Sequence, residues 1–153
     1  LKLYNKDLKI LWVEPNNDAG SDSIRKWLNV TRNYNATFQR HVRTVEHLPM
    51  EMFYQAMYHC DFILGNSSVA IREGAFLGTP AINIGSRQDG RVAAKNVVHV
   101  PHFYTGHDVE RALDHIDSAS FEGRLRDSSD LYGTRDSAAR VADAIELTGV
   151  TNL

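Results

Sequence analysis

The 153-residue sequence predicts an α/β fold with a doubly wound, Rossmann-like parallel sheet. Three observations predict it: short, near-continuous apolar runs of strand length, stripes of apolar residues at helical spacing between them, and turn residues at nearly every junction. The runs are Lys9 to Val13, Thr37 to Val42, Asp61 to Leu64, Ala81 to Ile84 and Val97 to Val100. Strands buried on both faces need no polar alternation, which is why such runs read as parallel rather than as exposed hairpins.

Each element follows from its residues. After the Lys9–Val13 strand, Glu14-Pro15-Asn16-Asn17-Asp18-Ala19-Gly20 is a turn, and Ser21 or Asp22 is expected to cap a helix. Ile24, Trp27 and Leu28 share one face of that helix. Thr37 to Val42 places Phe38 and Val42 on alternating positions of a second strand. His47-Leu48-Pro49 opens the next helix, with Pro49 near the first turn, where its missing N–H costs nothing. Phe53, Ala56, Met57 and Cys60 then form one apolar stripe. After the last strand, Val109, Ala112, Leu113 and Ile116 repeat the pattern, with a start at Gly106 to Asp108. Ser118 to Tyr132 lacks periodicity and reads as a loop; Ala138, Val141, Ala142 and Ile145 carry a final helix from Ser137 to Leu147.

Composition excludes several classes. A formal net charge of −2 gives no clustered basic face for nucleic acid. No apolar run approaches the roughly 20 residues that span a bilayer. One cysteine, Cys60, excludes an internal disulfide and fits a reducing, cytoplasmic setting, with the thiol buried and inert. The sequons at Asn29, Asn35 and Asn66 read as chance matches. His99, His102 and His107 gather near a strand end, but no cysteine or acidic residue joins them at a ligand spacing, so no metal site is expected.

The most informative segment is Gly65 to Arg91, GNSSVAIREGAFLGTPAINIGSRQDGR. A strand runs into Gly65-Asn66-Ser67-Ser68 and then a helix, placing hydroxyls and free N–H groups where a helix start favours an anion, usually a phosphate. Glu73 follows Ser68 by roughly a turn and a half at about 3.6 residues per turn, and an acid there accepts hydrogen bonds from a sugar diol. Arg87 and Arg91 supply planar forks suited to a diphosphate. Together these residues describe a nucleotide-sugar site. It belongs beyond the carboxyl ends of the strands, where ligands of open α/β sheets lie.

Gly65-Asn66-Ser67-Ser68 with Arg72-Glu73, followed by Gly78-Thr79-Pro80, Ile82-Asn83, Gly85, Arg87-Gln88 and Gly90-Arg91, resembles the hydrolysing UDP-N-acetylglucosamine 2-epimerases. The upstream Pro15-Asn16-Asn17-Asp18-Ala19-Gly20-Ser21 resembles a loop of the same family, and the similarity runs in register from about Lys9 to Val100. The resemblance implies two Rossmann-like halves in a glycosyltransferase-B arrangement, with this chain as the carboxyl-terminal, UDP-binding half (residues 1–153 as one domain). The chain opens Leu1-Lys2-Leu3-Tyr4 without an initiator Met or a leader, so it is expected to be part of a longer protein whose amino-terminal domain is missing here. By the same resemblance, Ser67 and Ser68 hold the UDP phosphates, Glu73 the ribose hydroxyls, and Arg87 the diphosphate or sugar. Asn16 lines the sugar side, and the stretch from His47 to Met50 approaches the uracil. Val69-Ala70 departs from the small pair the family has after its serines.

The implied chemistry is abstraction of the sugar C2 proton with loss of UDP, then hydration of the glycal to the manno epimer. The family's proton-moving carboxylates lie in the other half, so no catalytic residue is assigned in this chain and it is expected to be inactive alone. No cofactor is implied; UDP or UDP-N-acetylglucosamine and further copies of the chain are the expected partners. Two other readings share the site: the nucleotide-sugar half of a glycosyltransferase, and a non-catalytic nucleotide-sugar sensor.

Overall fold

The computed structural model describes residues 8–18, 20–101, 105–125, 131–132 and 136–148. It divides into two compact units, Leu1–Ala56 and Met57–Leu153, each taken here by itself.

In the first unit, β1 (Ile10–Val13) pairs in parallel with β2 (Val42–Val45), from Ile10 opposite Val42 to Val13 opposite Val45. Between them run α1 (Ser21–Tyr34) and α2 (Ala36–His41). The start of α1 differs from the expected side-chain cap. Gly20 occupies the capping position at φ 86°, and Ser21 is buried as the first helical residue, its N–H donating to the Asp18 carbonyl at 3.1 Å. A left-handed residue is cheap only for glycine, so Gly20 makes this corner possible.

The expected strand at Thr37–Val42 is instead α2, and the strand begins where that segment ends. Asn35 decides it: its Oδ1 accepts the Phe38 N–H at 2.9 Å, capping a helix start that period-two alternation of Phe38 and Val42 had disguised. Both side chains are buried all the same. With Leu28 they form the core of this unit, and Ile10 and Trp12 pack against it. Trp12, Trp27 and Phe38 form a ring cluster with centroids 5.8–6.4 Å apart. Leu28 is the only member of the predicted α1 stripe that is fully buried; Ile24 and Trp27 are exposed. Helix α3 (Met50–His59) follows and carries the chain into the second unit.

In the second unit, β3 (Ile63–Gly65), β4 (Ala81–Ile84) and β5 (Val97–Val100) form a parallel sheet in the order β3-β4-β5. The last two match their expected bounds. Between β3 and β4 lie α4 (Ser68–Ile71) and α5 (Glu73–Leu77); after β5 come α6 (Gly106–Ile116), α7 (Ala119–Leu125) and α8 (Ser137–Leu147). Helix α4 packs on β3 and β4, and α6 packs on β5 and β4. The α7 helix replaces an expected loop: Phe121, fully buried against the His115 ring at 5.5 Å, anchors a segment whose sequence is otherwise polar. The rest of that predicted loop, residues 126–130, lies outside the described residues. Parallel strands with helices in their connections, except for the loop that joins β4 to β5, are thus the architecture of both units, the α/β class the sequence predicts.

Helix α6 begins with a charged cap. Asp108 accepts hydrogen bonds from the Thr105 N–H at 2.7 Å and its hydroxyl at 3.0 Å, and it pairs with Arg111. The Thr105 backbone bond, followed by the Arg111 bond, holds the Asp108 carboxyl below its ordinary pKa.

Two predictions follow from this packing. Phe38→Ala should cost about 3–5 kcal/mol, the scale of a buried aromatic lost from a core. Both tryptophans of the chain lie in the cluster around Phe38, so their emission in a urea titration reads this loss directly; a midpoint equal to wild type would refute it. For Asp108 the folded state holds the carboxylate more tightly than the unfolded chain, so its stabilisation is present at neutral pH and lost as pH falls through the lowered pKa. Asp108→Asn should therefore melt below wild type at pH 7, and the two melting temperatures should converge in acid.

Candidate functional site

Because β3, β4 and β5 run parallel, the chain leaves all three at the same edge of the sheet. The turn after β3 and the loop after β4 carry the signature residues, as a ligand site of this architecture requires. Ser67 is the N-cap of α4, its exposed hydroxyl accepting the Val69 N–H at 3.4 Å. Ser68, half-buried, is the first helical residue.

The helix that follows is not continuous. The helix breaks off after Ile71, Arg72 lies between the two elements while keeping right-handed helical angles at φ −89° and ψ −67°, and Glu73 begins α5. Glu73 is therefore the first residue of a second short helix that follows α4 after a one-residue interruption. The dipole of a four-residue helix is small, so any attraction of the turn for an anion rests on local N–H and hydroxyl donors. Glu73 is half-buried, and its Oε2 is sealed from solvent with no hydrogen-bond partner. A buried acceptor left so costs about 1–3 kcal/mol, more when charged, unless something outside the described residues supplies a donor.

Arg87 and Arg91 both lie exposed in the loop after β4. Two turns shape that loop, Asp89 N–H to Ser86 C=O at 3.0 Å and Arg91 N–H to Gln88 C=O at 3.2 Å, with Gly90 at φ 77°. Between the arginines, Gln88 points inward and is only 3% exposed, its Nε2 donating to the Asn66 carbonyl at 2.8 Å. That bond ties the loop after β4 to the turn after β3. It also sets a peptide plane: in a trans peptide the N–H points opposite the carbonyl, so capturing Asn66 C=O turns the Ser67 N–H away from Gln88. Sequence reading included Gln88 in the motif but gave it no role. The hint was an uncharged amide between two arginines.

The remaining expected residues belong to the first unit. Asn16 is exposed just past β1, His47 is exposed just past β2, and Met50 is the 73%-exposed first residue of α3. The loop after β1 is held by a residue the sequence reading did not single out. Arg25 donates to the Pro15 carbonyl at 2.6 Å, to Asn17 Oδ1 at 3.1 Å and to Ser21 Oγ at 3.3 Å. Arg25 also lines a recess of about 370 Å³ with Glu14, Pro15, Asn29, Arg32 and Glu46.

Other reactive side chains are otherwise engaged. Burial pushes the Cys60 thiol above its ordinary pKa, and the thiol donates to the Met57 carbonyl at 3.3 Å. His99 Nδ1 lies 3.2 Å from the buried Asn83 amide, and His107 pairs with Glu110. His102 lies outside the described residues, and among those described no three His, Cys, Asp or Glu side chains gather as metal ligands. Nor, among the described residues, is any helix long and apolar enough to cross a membrane.

Comparison with known proteins agrees with this geometry. The model of the UDP-N-acetylglucosamine 2-epimerase family matches residues 1–146. A Neisseria meningitidis serogroup B protein named UDP-N-acetylglucosamine 2-epimerase is 30% identical over 138 residues, 89% of this chain and 34% of that protein. The Legionella pneumophila UDP-N,N'-diacetylbacillosamine 2-epimerase (hydrolyzing) is 36% identical over 94 residues, 61% of this chain and 24% of its own length. An Escherichia coli polysialic acid biosynthesis protein P7 is 36% identical over 102 residues, 66% of this chain and 25% of its own. The chain thus spans about a third or less of the length of these curated relatives. With the matched model covering nearly all of it, the chain belongs to the UDP-N-acetylglucosamine 2-epimerase family.

Proposed function

We propose that this chain is the UDP-binding half of a hydrolysing UDP-N-acetylglucosamine 2-epimerase of glycosyltransferase-B architecture, acting in the cytoplasm in amino-sugar or sialic-acid biosynthesis. The observation that carries the proposal is Glu73, whose buried carboxylate oxygen has no donor within the described residues. A ribose diol offers two hydroxyl donors to the carboxylate of this half-buried residue. Ser67 and Ser68 bind the diphosphate through hydroxyls and backbone N–H groups, and Arg87 and Arg91 approach its oxygens. Asn16 faces the sugar, and the stretch from His47 to Met50 faces the uracil.

In this reading the chain works on the leaving group. Removal of the sugar C2 proton breaks the C1–O bond to UDP, the electron pair of that bond stays on the diphosphate oxygen, and a glycal forms. Water then adds across the glycal double bond, hydroxyl at C1 and proton at C2, to give N-acetylmannosamine. Donors positioned for the growing diphosphate charge stabilise that first step. The groups that move the C2 proton lie in the amino-terminal domain of the full-length protein, so this half alone binds UDP without turning over the sugar. The family match and the two relatives named as 2-epimerases favour this chemistry over glycosyl transfer.

Calorimetric titration with UDP tests the reading. Ser68→Ala and Glu73→Ala should each weaken binding by about 1–3 kcal/mol, the scale of a lost hydrogen bond to a buried or charged group. Full-length wild type supplied with UDP-N-acetylglucosamine should release UDP and N-acetylmannosamine together. Wild-type affinity in both variants would overturn the site, and a glycosylated acceptor in place of free sugar would overturn the reaction.

A further inference from the structure

We infer that Asn96 is a positioning residue of the nucleotide site: its buried amide ties a main-chain carbonyl of α4 to one just past α5, across the break between them, and thereby sets where Glu73 stands relative to Ser67 and Ser68. The inference rests on the nucleotide reading proposed above, and concerns a residue at the other end of the following strand-and-loop segment.

Asn96 is 0% exposed, and its Nδ2 donates to two main-chain carbonyls, Thr79 at 2.9 Å and Ala70 at 3.3 Å. The second contact is the informative one. In a continuous helix Ala70 C=O is the acceptor for the N–H four residues on, that of Gly74. Here the Asn96 amide also donates to that carbonyl, and the break falls between the two residues, at Arg72. Bonds across the break persist, Arg72 N–H to Ser68 C=O at 3.0 Å and Phe76 N–H to Arg72 C=O at 3.3 Å, so Asn96 braces a junction that stays close to helical.

Neighbouring residues are shaped around the amide. Gly74 sits against it: a Cβ added there would lie 3.4 Å from Asn96 Nδ2, so a longer side chain would displace the amide. The first contact anchors the other end, because Thr79 closes α5 through its N–H to the Gly74 carbonyl at 2.9 Å. Asn96 C=O in turn accepts the Ala81 N–H at 2.8 Å, so the amide is referenced to the first residue of β4. A rigid strand end therefore fixes the start of α5, and Glu73 is its first residue.

The experiment compares wild type, Asn96→Ala and Asn96→Ser in the full-length protein. Each is titrated with UDP, with 2′-deoxyuridine diphosphate and with inorganic pyrophosphate, while amide exchange is followed at Gly74. Wild type should prefer UDP over its 2′-deoxy analogue by about tenfold or more, the loss expected for one hydrogen bond to a charged group. In the variants that preference should fall to about twofold or less while pyrophosphate affinity stays within about twofold of wild type. Gly74 exchange should quicken in the variants as the brace between the Ala70 and Thr79 carbonyls is lost. A variant that keeps the UDP preference, or whose pyrophosphate affinity falls in step with UDP, overturns the role of Asn96 and leaves the nucleotide site standing. Unchanged Gly74 exchange overturns the role of the amide as a brace across the break. A wild type that does not separate UDP from the 2′-deoxy analogue overturns the ribose role of Glu73, and the role of Asn96 with it.

Discussion

Where strands end and helices break, main-chain carbonyls lose their regular partners, and inside the second unit buried amides supply the missing donors. Asn96 serves Ala70 and Thr79, and Gln88 serves Asn66. A buried carbonyl without a donor costs about 1–3 kcal/mol, so the two buried contacts of Asn96 outweigh an ordinary surface hydrogen bond. The arrangement has its own cost, since the Oδ1 of Asn96 and the Oε1 of Gln88 are themselves buried without partners among the described residues. A chain built for stability alone would use apolar packing there. These amides make sense where the exact path of the backbone matters more than a few kcal/mol.

That path is what the candidate site consists of. The turn at Ser67 and Ser68, the helix start at Glu73 and the loop of Arg87 and Arg91 are all backbone features first and side chains second. Gln88 holds two of them together and Asn96 fixes the third. In the first unit Arg25 does comparable work for the loop of Asn16, through one carbonyl and two side-chain oxygens. In both units most of the candidate ligand residues are exposed, Ser68 and Glu73 being half-buried, and the residues that shape their loops are buried or half-buried.

Much of the fold was legible in the sequence, and the exceptions have physical causes. Strands β4 and β5 and helix α8 have the expected bounds because their patterns admit one period only. Thr37–Val42 admits two: Phe38 and Val42 satisfy both a strand alternation and an i, i+4 helical pair, and a single cap at Asn35 settles it. The α7 helix was hidden because a single buried ring, Phe121, packed on His115 of the preceding helix, leaves no apolar period to read. Within the candidate site, the exposed donors and the acid were legible as residue types. The brace across the break at Arg72 was not, because it comes from 24 residues downstream, from an asparagine that composition would place on the surface.

The clustering of site and support within one stretch has a topological origin. In a parallel sheet with neighbours in chain order, the turn after β3, the helices that return the chain, and the loop after β4 are consecutive in sequence and adjacent in space. A residue that braces one of these elements from the next strand's approach, as Asn96 does just before β5, still falls within the same segment. In the second unit the candidate residues and their scaffolding thus fall within a single run of about three dozen residues, from Gly65 to His99. That is why its inward-facing amides need to be read with the same attention as its serines and arginines. An outward residue in the run sets which ligand atoms are met. An inward one sets where they are met, and substituting it would change the geometry of recognition while leaving every ligand-facing side chain in place.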